Sequence, residues 1–427
     1  MNRLPHLTCK RATLSYLEDR NEISLHTKVN IFMKTRLNVL VIMGCALLLI
    51  GCISSEQEYD HPLYDTSTSA FPVQQFDSFL EYQQTVQTWL EENRVFLQDD
   101  HAAELSYNTP FEISPNQANP LRKGIIFVHG LGDSPWSFVD VAQEFADEGY
   151  LVRSVLLPGH GSRPADLVPI SISNWEKTVK NQVEIMQEEG FEVSLAGFST
   201  GANLVTDYAN SNSSIEALYL FSPAFKSDSD IDFLAPAGAL FVDWVFQGDP
   251  QNHDNLMKYN SVPLNGFAQY YWTSYEVQKS LERKPFVRPA FLAVTQDDSV
   301  VNVTEVLKLF ETQFTNANSR FIWFGDKPDT LDKRVVHFDS HVPSKRISNF
   351  SHMSLLYRED NFYYGANGKF QMCRNSSDPL DYEACLNSDE PWYSAWGYKE
   401  EGKVHARLTY NPYFDEMLDY AKSITAL

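Results

Sequence analysis

The residues best placed to do chemistry in this chain are a serine held between two glycines and, far downstream, a small set of carboxylates and histidines. Gly197-Phe198-Ser199-Thr200-Gly201 follows an apolar run over 193–198 and precedes a stretch with helical spacing over 202–210. A strand that turns sharply into a helix pushes the intervening hydroxyl out of the sheet edge, and flanking glycines relieve the crowding of that turn. The helix that follows aims its unpaired N–H groups and positive dipole end at the same spot, which favours developing negative charge. A serine hydroxyl alone is a poor nucleophile, so it needs a base, and the base needs an acid to hold it.

Candidates for both follow in chain order. A strand-like run over 289–295 leads into Gln296-Asp297-Asp298-Ser299-Val300-Val301, where either aspartate stands just past the strand end. His337, His341 and His352 come next; His352, within Asn349-Phe350-Ser351-His352-Met353, is the preferred base and His337 the alternative. Upstream, the apolar run 124–128 ends in His129-Gly130-Leu131-Gly132-Asp133-Ser134. A glycine-rich turn there lets one backbone N–H face the site, opposite the N–H that follows the nucleophile. Leu131 and Thr200 are therefore the expected oxyanion donors, and His129 reads as a structural residue at the strand end.

These pieces need a frame, and the patterning supplies one. Continuous apolar runs at 124–128, 151–157, 193–198, 215–221 and 289–295 read as strands buried on both faces. Segments with helical periodicity separate them. Phe138, Val141, Ala142 and Phe145 share one helical face, which Gly149 is placed to end. A helix over about 174–188 carries Trp175, Val179, Val183 and Met186, with Ser173 and Glu176 as its expected capping box. Further helices are expected over 76–97, 303–314 and 413–424, with 320–324 as the last strand. Alternating β and α units of this length imply a parallel sheet flanked by helices. The rhythm breaks at 222–285, rich in Pro, Gly and aromatics, which reads as a mostly helical cap inserted into one catalytic domain spanning 76–427.

The combination resembles the α/β-hydrolase superfamily over about residues 120–425. His129-Gly130-Leu131-Gly132 looks like its HGxG oxyanion turn, and Pro158-Gly159-His160-Gly161 like the PGHG turn of monoacylglycerol-lipase-like and carboxylesterase-like members. Asp298 to Val301 looks like the family's Asp-x-x-Val acid turn, so the resemblance favours Asp298 over Asp297. It implies an α/β-hydrolase fold with a lid at 222–285 and a Ser199–His352–Asp298 triad. The long interval from Asp298 to His352, and the segment beyond it, depart from compact members.

The N-terminus predicts export. From Met33 two cations precede an apolar h-region too short to span a bilayer. Leu49-Ile50-Gly51-Cys52 resembles a bacterial lipobox, implying a signal over 33–51, lipidation of Cys52 and a membrane anchor facing the periplasm or exterior. Residues 1–32 read as an extra leader and 52–75 as a tether. With Cys9 in that leader, Cys45 in the h-region and Cys52 at the anchor, Cys373 and Cys385 remain and are expected to form a disulfide. Two cysteines without nearby histidines are too few for zinc, and no motif implies a metal or cofactor.

Acids outnumber bases 56 to 34, a net charge of −22 that disfavours nucleic acid. The reading that follows is hydrolysis of a small-molecule or lipid carboxylic ester through an acyl-enzyme. Aromatics in the insertion (Phe233, Phe241, Trp244, Phe246, Tyr270, Tyr271, Trp272) either line an apolar acyl pocket or pack the cap. An aminopeptidase or amidase on the same scaffold is the alternative, with Asp228, Asp230 and Asp232 as a possible amine-binding cluster. A non-catalytic surface protein of the same fold is the other.

Overall fold

A computed structural model describes residues 59–67, 70–73, 75–116 and 122–425. The leader, signal and lipidation expectations at 1–52 lie outside the described residues. Eight strands form the main sheet: β1 (Phe111–Ile113), β2 (Lys123–Val128), β3 (Leu151–Val155), β4 (Glu192–Phe198), β5 (Ile215–Phe221), β6 (Ala290–Thr295), β7 (Arg320–Phe324) and β8 (Val335–Phe338). Their order is β1-β3-β2-β4-β5-β6-β7-β8, with β1 antiparallel to β3 and every other pair parallel. The interior strands are buried along nearly their whole length, as continuous apolar runs covered on both faces require.

Helices cover both faces: α1 (Phe79–Asn93), α2 (His101–Asn108), α3 (Val139–Asp147), α4 (Ile172–Glu188), α5 (Thr200–Ser211), α6 (Ala235–Gly238), α7 (Leu264–Arg283), α8 (Val303–Gln313), α9 (Pro379–Leu386) and α10 (Phe414–Ser423). Two apolar layers result. One joins Ile126, Val128, Leu195 and Leu220 to α1, α4, α7 and α8. The other joins Ile125, Phe127, Phe198 and Phe221 to α3, α10 and the segment around Phe350. The sheet thus holds its strand ends rigidly, and the chemistry-bearing turns are those ends.

The structure departs from the sequence reading in several places. Helix α4 starts two residues earlier than expected: Ser171, not Ser173, is its cap, and the Asn174 side chain accepts the Ser171 N–H at 2.9 Å. Asn174 fills the position that Glu176 was expected to take. After β7, expected to be the last strand, the sheet gains one more, β8. The insertion 222–285 contains one long helix, α7, and otherwise short turns, because its Pro and Gly spacing leaves no room for a second long helix. Finally, the stretch read as tether is partly built into the domain. Leu63, Tyr64 and Phe71 are buried, Tyr59 N–H donates to Gln247 Oε1 at 2.8 Å, and the Tyr64 hydroxyl meets Gly248 O, His253 and Ser261.

Candidate active site

Ser199 caps α5 with φ 54° and ψ −118°, a left-handed conformation that a side-chain-bearing residue adopts only under constraint. The constraint is visible in its neighbours. A Cβ on Gly201 would stand 2.0 Å from Val128 O, and one on Gly197 would stand 2.5 Å from the Ala202 backbone. Only glycine lets β4 and α5 meet this closely. Ser199 N–H donates to Phe221 O at 3.0 Å, and its carbonyl accepts from Ala202 and Ala224. The turn is thereby fixed to β5, and Ser199 remains 7% exposed.

The imidazole that meets Asp298 is that of His352. Its Nδ1 lies 2.6 Å from Asp298 Oδ2, with the carboxylate side chain fully buried. Asp298 Oδ1 accepts the N–H groups of Val300 and Val301 at 2.8 and 3.0 Å, so the turn's own backbone orients the acid. Asp297, the other candidate, faces the Asn349 side chain instead, and burial raises its carboxyl above the usual range. His337 is exposed on β8, and His341 turns its Nδ1 to Ser348 O at 3.1 Å. The His352 ring packs on Phe198, centroids 5.0 Å apart, and its carbonyl accepts from the Ser222 hydroxyl at 3.1 Å. Serine, acid and histidine therefore converge at the ends of β4, β5 and β6.

The opposite wall is the turn after β2. Asp133 N–H closes it onto Gly130 O at 3.2 Å, with Gly132 at φ 72°. This places Leu131 at the first corner, where its N–H takes no part in the closing bond. A Cβ on Gly130 would stand 3.1 Å from Ser199 Cβ, so the turn lies directly against Ser199. Thr200 is the first helical residue of α5, and its amide has no carbonyl within the helix to bond. His129 is buried, with Nδ1 against Gly130 O at 2.8 Å and Nε2 accepting Leu157 N–H at 3.0 Å. Burial holds this ring neutral, its basicity well below the usual value, and it ties β2 to β3.

The insertion contributes less lining than its aromatic content suggests. Phe233, Phe241, Phe246 and Trp272 point outward, 40–63% exposed, and Trp244 packs edge-on against Tyr64. Of the seven aromatics, Tyr270 is the buried one. Asp228 and Asp230 are exposed to solvent. Sequence reasoning missed Ser222, held at φ 42° just past β5, and the cap residues Lys258 and Tyr259, which reach the oxyanion turn. A serine-proline pair at a strand end was a signal for the first; nothing in the local pattern marked the other two.

Comparisons with known proteins agree with this frame. A family model described as serine aminopeptidase, S33, matches residues 119–319, which hold the oxyanion turn, Ser199 and Asp298. The chain has the α/β-hydrolase fold. A thermostable monoacylglycerol lipase from Bacillus sp. (strain H-257) is 24% identical over 181 residues, 42% of this chain and 71% of the lipase. Among solved structures, the monoacylglycerol lipase of Paleococcus ferrophilus aligns at TM-score 0.42 and 20% identity, covering 50% of this chain and 87% of that one. Est1E from Butyrivibrio proteoclasticus, with ferulic acid bound, aligns at 0.38 and 18%, covering 50% and 84%. His352 of this α/β-hydrolase lies beyond the segment that the family model matches, so its place in the site rests on geometry.

The two remaining cysteines stand together in the same distal segment. Cys373 and Cys385 bring their sulfurs to bonding distance, with Cα atoms 5.4 Å apart. They pack on Ala406 in β10 (His405–Arg407), which pairs in parallel with β9 (Trp392–Ser394). Just past β10, Leu408 O accepts the hydroxyl of Ser351, the residue before His352.

Proposed function

We propose that this α/β-hydrolase is a serine ester hydrolase acting through an acyl-enzyme. The observation that carries the reading is the buried Asp298–His352 pair brought beside a strained, glycine-flanked Ser199. His352 takes the Ser199 proton at Nε2 as the hydroxyl attacks the ester carbonyl. Asp298 keeps the other nitrogen protonated and stabilises the imidazolium. The Leu131 and Thr200 amides hold the oxyanion. Collapse expels the alcohol with the proton that His352 returns, and water then repeats the sequence to release the acid. Similarity to a monoacylglycerol lipase supports an ester with an apolar acyl group.

The test is hydrolysis of p-nitrophenyl esters of increasing chain length, with fluorophosphonate labelling, beside Ser199→Ala. Turnover and labelling that both vanish in the variant are expected; a folded wild type that does neither defeats the reading. The aminopeptidase alternative draws on the description of the matched family model. Cleavage of aminoacyl p-nitroanilides in preference to esters would establish it.

The sequence around Cys52 further supports export and lipid anchoring, with Cys373 and Cys385 oxidised in that compartment. Metabolic labelling with a radiolabelled fatty acid should mark the wild type and not Cys52→Ala; equal labelling of both rejects the anchor.

A further inference from the structure

A short segment of the cap reaches the oxyanion turn. Tyr259 N–H donates to Gly132 O at 2.7 Å, and Val262 and Tyr259 side-chain atoms lie 3.3 and 3.6 Å from where a Gly132 Cβ would stand. The Tyr259 hydroxyl continues into the wall, accepting Ser162 N–H at 3.0 Å and donating to Gly159 O at 3.3 Å. Next to it, Lys258 Nζ stands 3.7 Å from Asp133 Oδ2. Asp133 is the residue that closes the turn, and its side chain is 3% exposed, with Oδ1 accepting Ser134 N–H at 3.0 Å. A buried carboxylate beside a hole built for an oxyanion opposes the charge that must develop there. Something has to counter it, and the ammonium facing it comes from the cap.

We propose that Lys258 is a positioning residue for catalysis: it pins the oxyanion turn to the cap through Asp133 and neutralises that carboxylate beside the developing oxyanion. The role rests on the ester-hydrolase reading. It makes the cap part of the catalytic electrostatics as well as a cover. Tyr259 supplies the geometric half of the same clasp, and Lys258 the charge.

The charges around the site give the role a signature. Asp133 is faced by Lys258, His352, Tyr357 and Tyr364; burial raises its carboxyl, while Lys258 and the Ser134 N–H pull it back. Burial keeps both tyrosines far above their ordinary value and therefore neutral. Lys258 also stands in the field of His129 and His160, which burial keeps neutral. His352 is faced by Asp298 through Nδ1 and by Asp133 from the oxyanion side. Without Lys258, the Asp133 carboxylate faces the imidazole uncountered, so the pH dependence of turnover should respond.

Lys258→Met, Lys258→Arg, Asp133→Asn and the Asp133→Asn/Lys258→Met pair should be compared for kcat, KM and the pH dependence of kcat/KM on a p-nitrophenyl ester. Lys258→Met is expected to lower kcat roughly ten- to a hundredfold with KM little changed. Its acid limb of kcat/KM should move up by about half a pH unit or more. Lys258→Arg restores both, and the double variant recovers much of the kcat, because a neutral amide needs no counter-charge. An active wild type whose Lys258→Met variant keeps both kcat and pH profile overturns the role. So does a loss of kcat with an unmoved acid limb that the double variant fails to relieve, which marks simple loss of structure. A wild type inert to esters and to fluorophosphonate sinks the ester reading and this role with it.

Discussion

The two halves of the site are held in place by different means. Ser199, Asp298 and Leu131 sit on turns that leave strands of the central sheet, and backbone hydrogen bonds fix each turn, with forced glycines beside Ser199 and Leu131. His352 sits in a segment, 339–413, in which the only regular elements are β9, β10, α9 and a 3-10 turn. That segment is fastened by side chains. Phe350 stacks on Phe324 of β7 at 5.0 Å, Asn349 Oδ1 accepts Ala395 N–H at 2.8 Å, and Ser351 reaches Leu408 O. Tyr357 and Tyr364 pack against Trp136, just past the oxyanion turn. Sheet geometry delivers Ser199 and Asp298 at the ends of strands β4 and β6. The histidine is delivered by packing, which tolerates a long excursion provided that its contacts are kept.

The comparison can be broken at either half, and the largest effect is expected at the pair that joins them. Asp298→Asn should lower kcat about 10⁴-fold while thermal stability changes little, because the amide still accepts from Val300 and Val301 but misdirects the imidazole. Single-turnover hydrolysis together with a melting curve checks this; a retained kcat would move the acid to Asp297. Phe350→Ala strikes the packing-held half and should cost about 3–5 kcal/mol of stability in denaturant unfolding, with a fall in kcat from a displaced His352. If stability falls but kcat per folded molecule does not, the histidine has a second support.

A smaller effect is expected from the Cys373–Cys385 link. Its loop spans 12 residues, so Cys373→Ser with Cys385→Ser should lower stability by about 3 kcal/mol at most, with kcat within a fewfold of wild type. Urea melts with and without reductant would show it, and mass spectrometry finding both thiols free in the exported protein rejects the link. The smallest effect is on the pH dependence of stability. Burial depresses His160 from 6.5 to about 4, and depresses His253 likewise. The unfolded chain therefore binds protons more readily than the folded one between these values. Stability is full above about pH 6.5 and declines as pH falls towards 4. His160→Gln should flatten that slope; an unchanged slope would place the acid sensitivity elsewhere.

The same division decides how much could be read from the sequence. The strands and helices around Ser199 were legible because continuous apolar runs alternated with helical periodicity, and the glycine-flanked serine fell where one became the other. Asp298 needed the resemblance to separate it from Asp297, and the structure gives the reason, since its carboxylate fits the amides of Val300 and Val301. His352 was reachable only by order along the chain. Its supports are tertiary contacts such as Phe324–Phe350, which leave no periodic mark. Strand β1, three residues long and antiparallel at the sheet edge, was too short to signal itself. The capping of α4 went to Asn174 over Glu176 because a short amide reaches the Ser171 N–H from three residues away. The cap's outward aromatics had no distinguishing pattern at all, since composition does not say which way a ring faces.

The clasp between Tyr59–Tyr64 and residues 247–261 bears on where this domain begins. A boundary drawn by helix content would start the chain at α1. Such a shortened protein would strip Tyr64 from Trp244, His253 and Ser261, and Gln247 from the Tyr59 amide. It would loosen the cap around residues 244–261 while leaving every strand of the sheet in place. The loss would register as poor turnover in a well-folded product, a fault easily blamed on the chemistry. An intact start point therefore lies no later than Tyr59, because Tyr59 and Tyr64 hold the cap at residues 244–261.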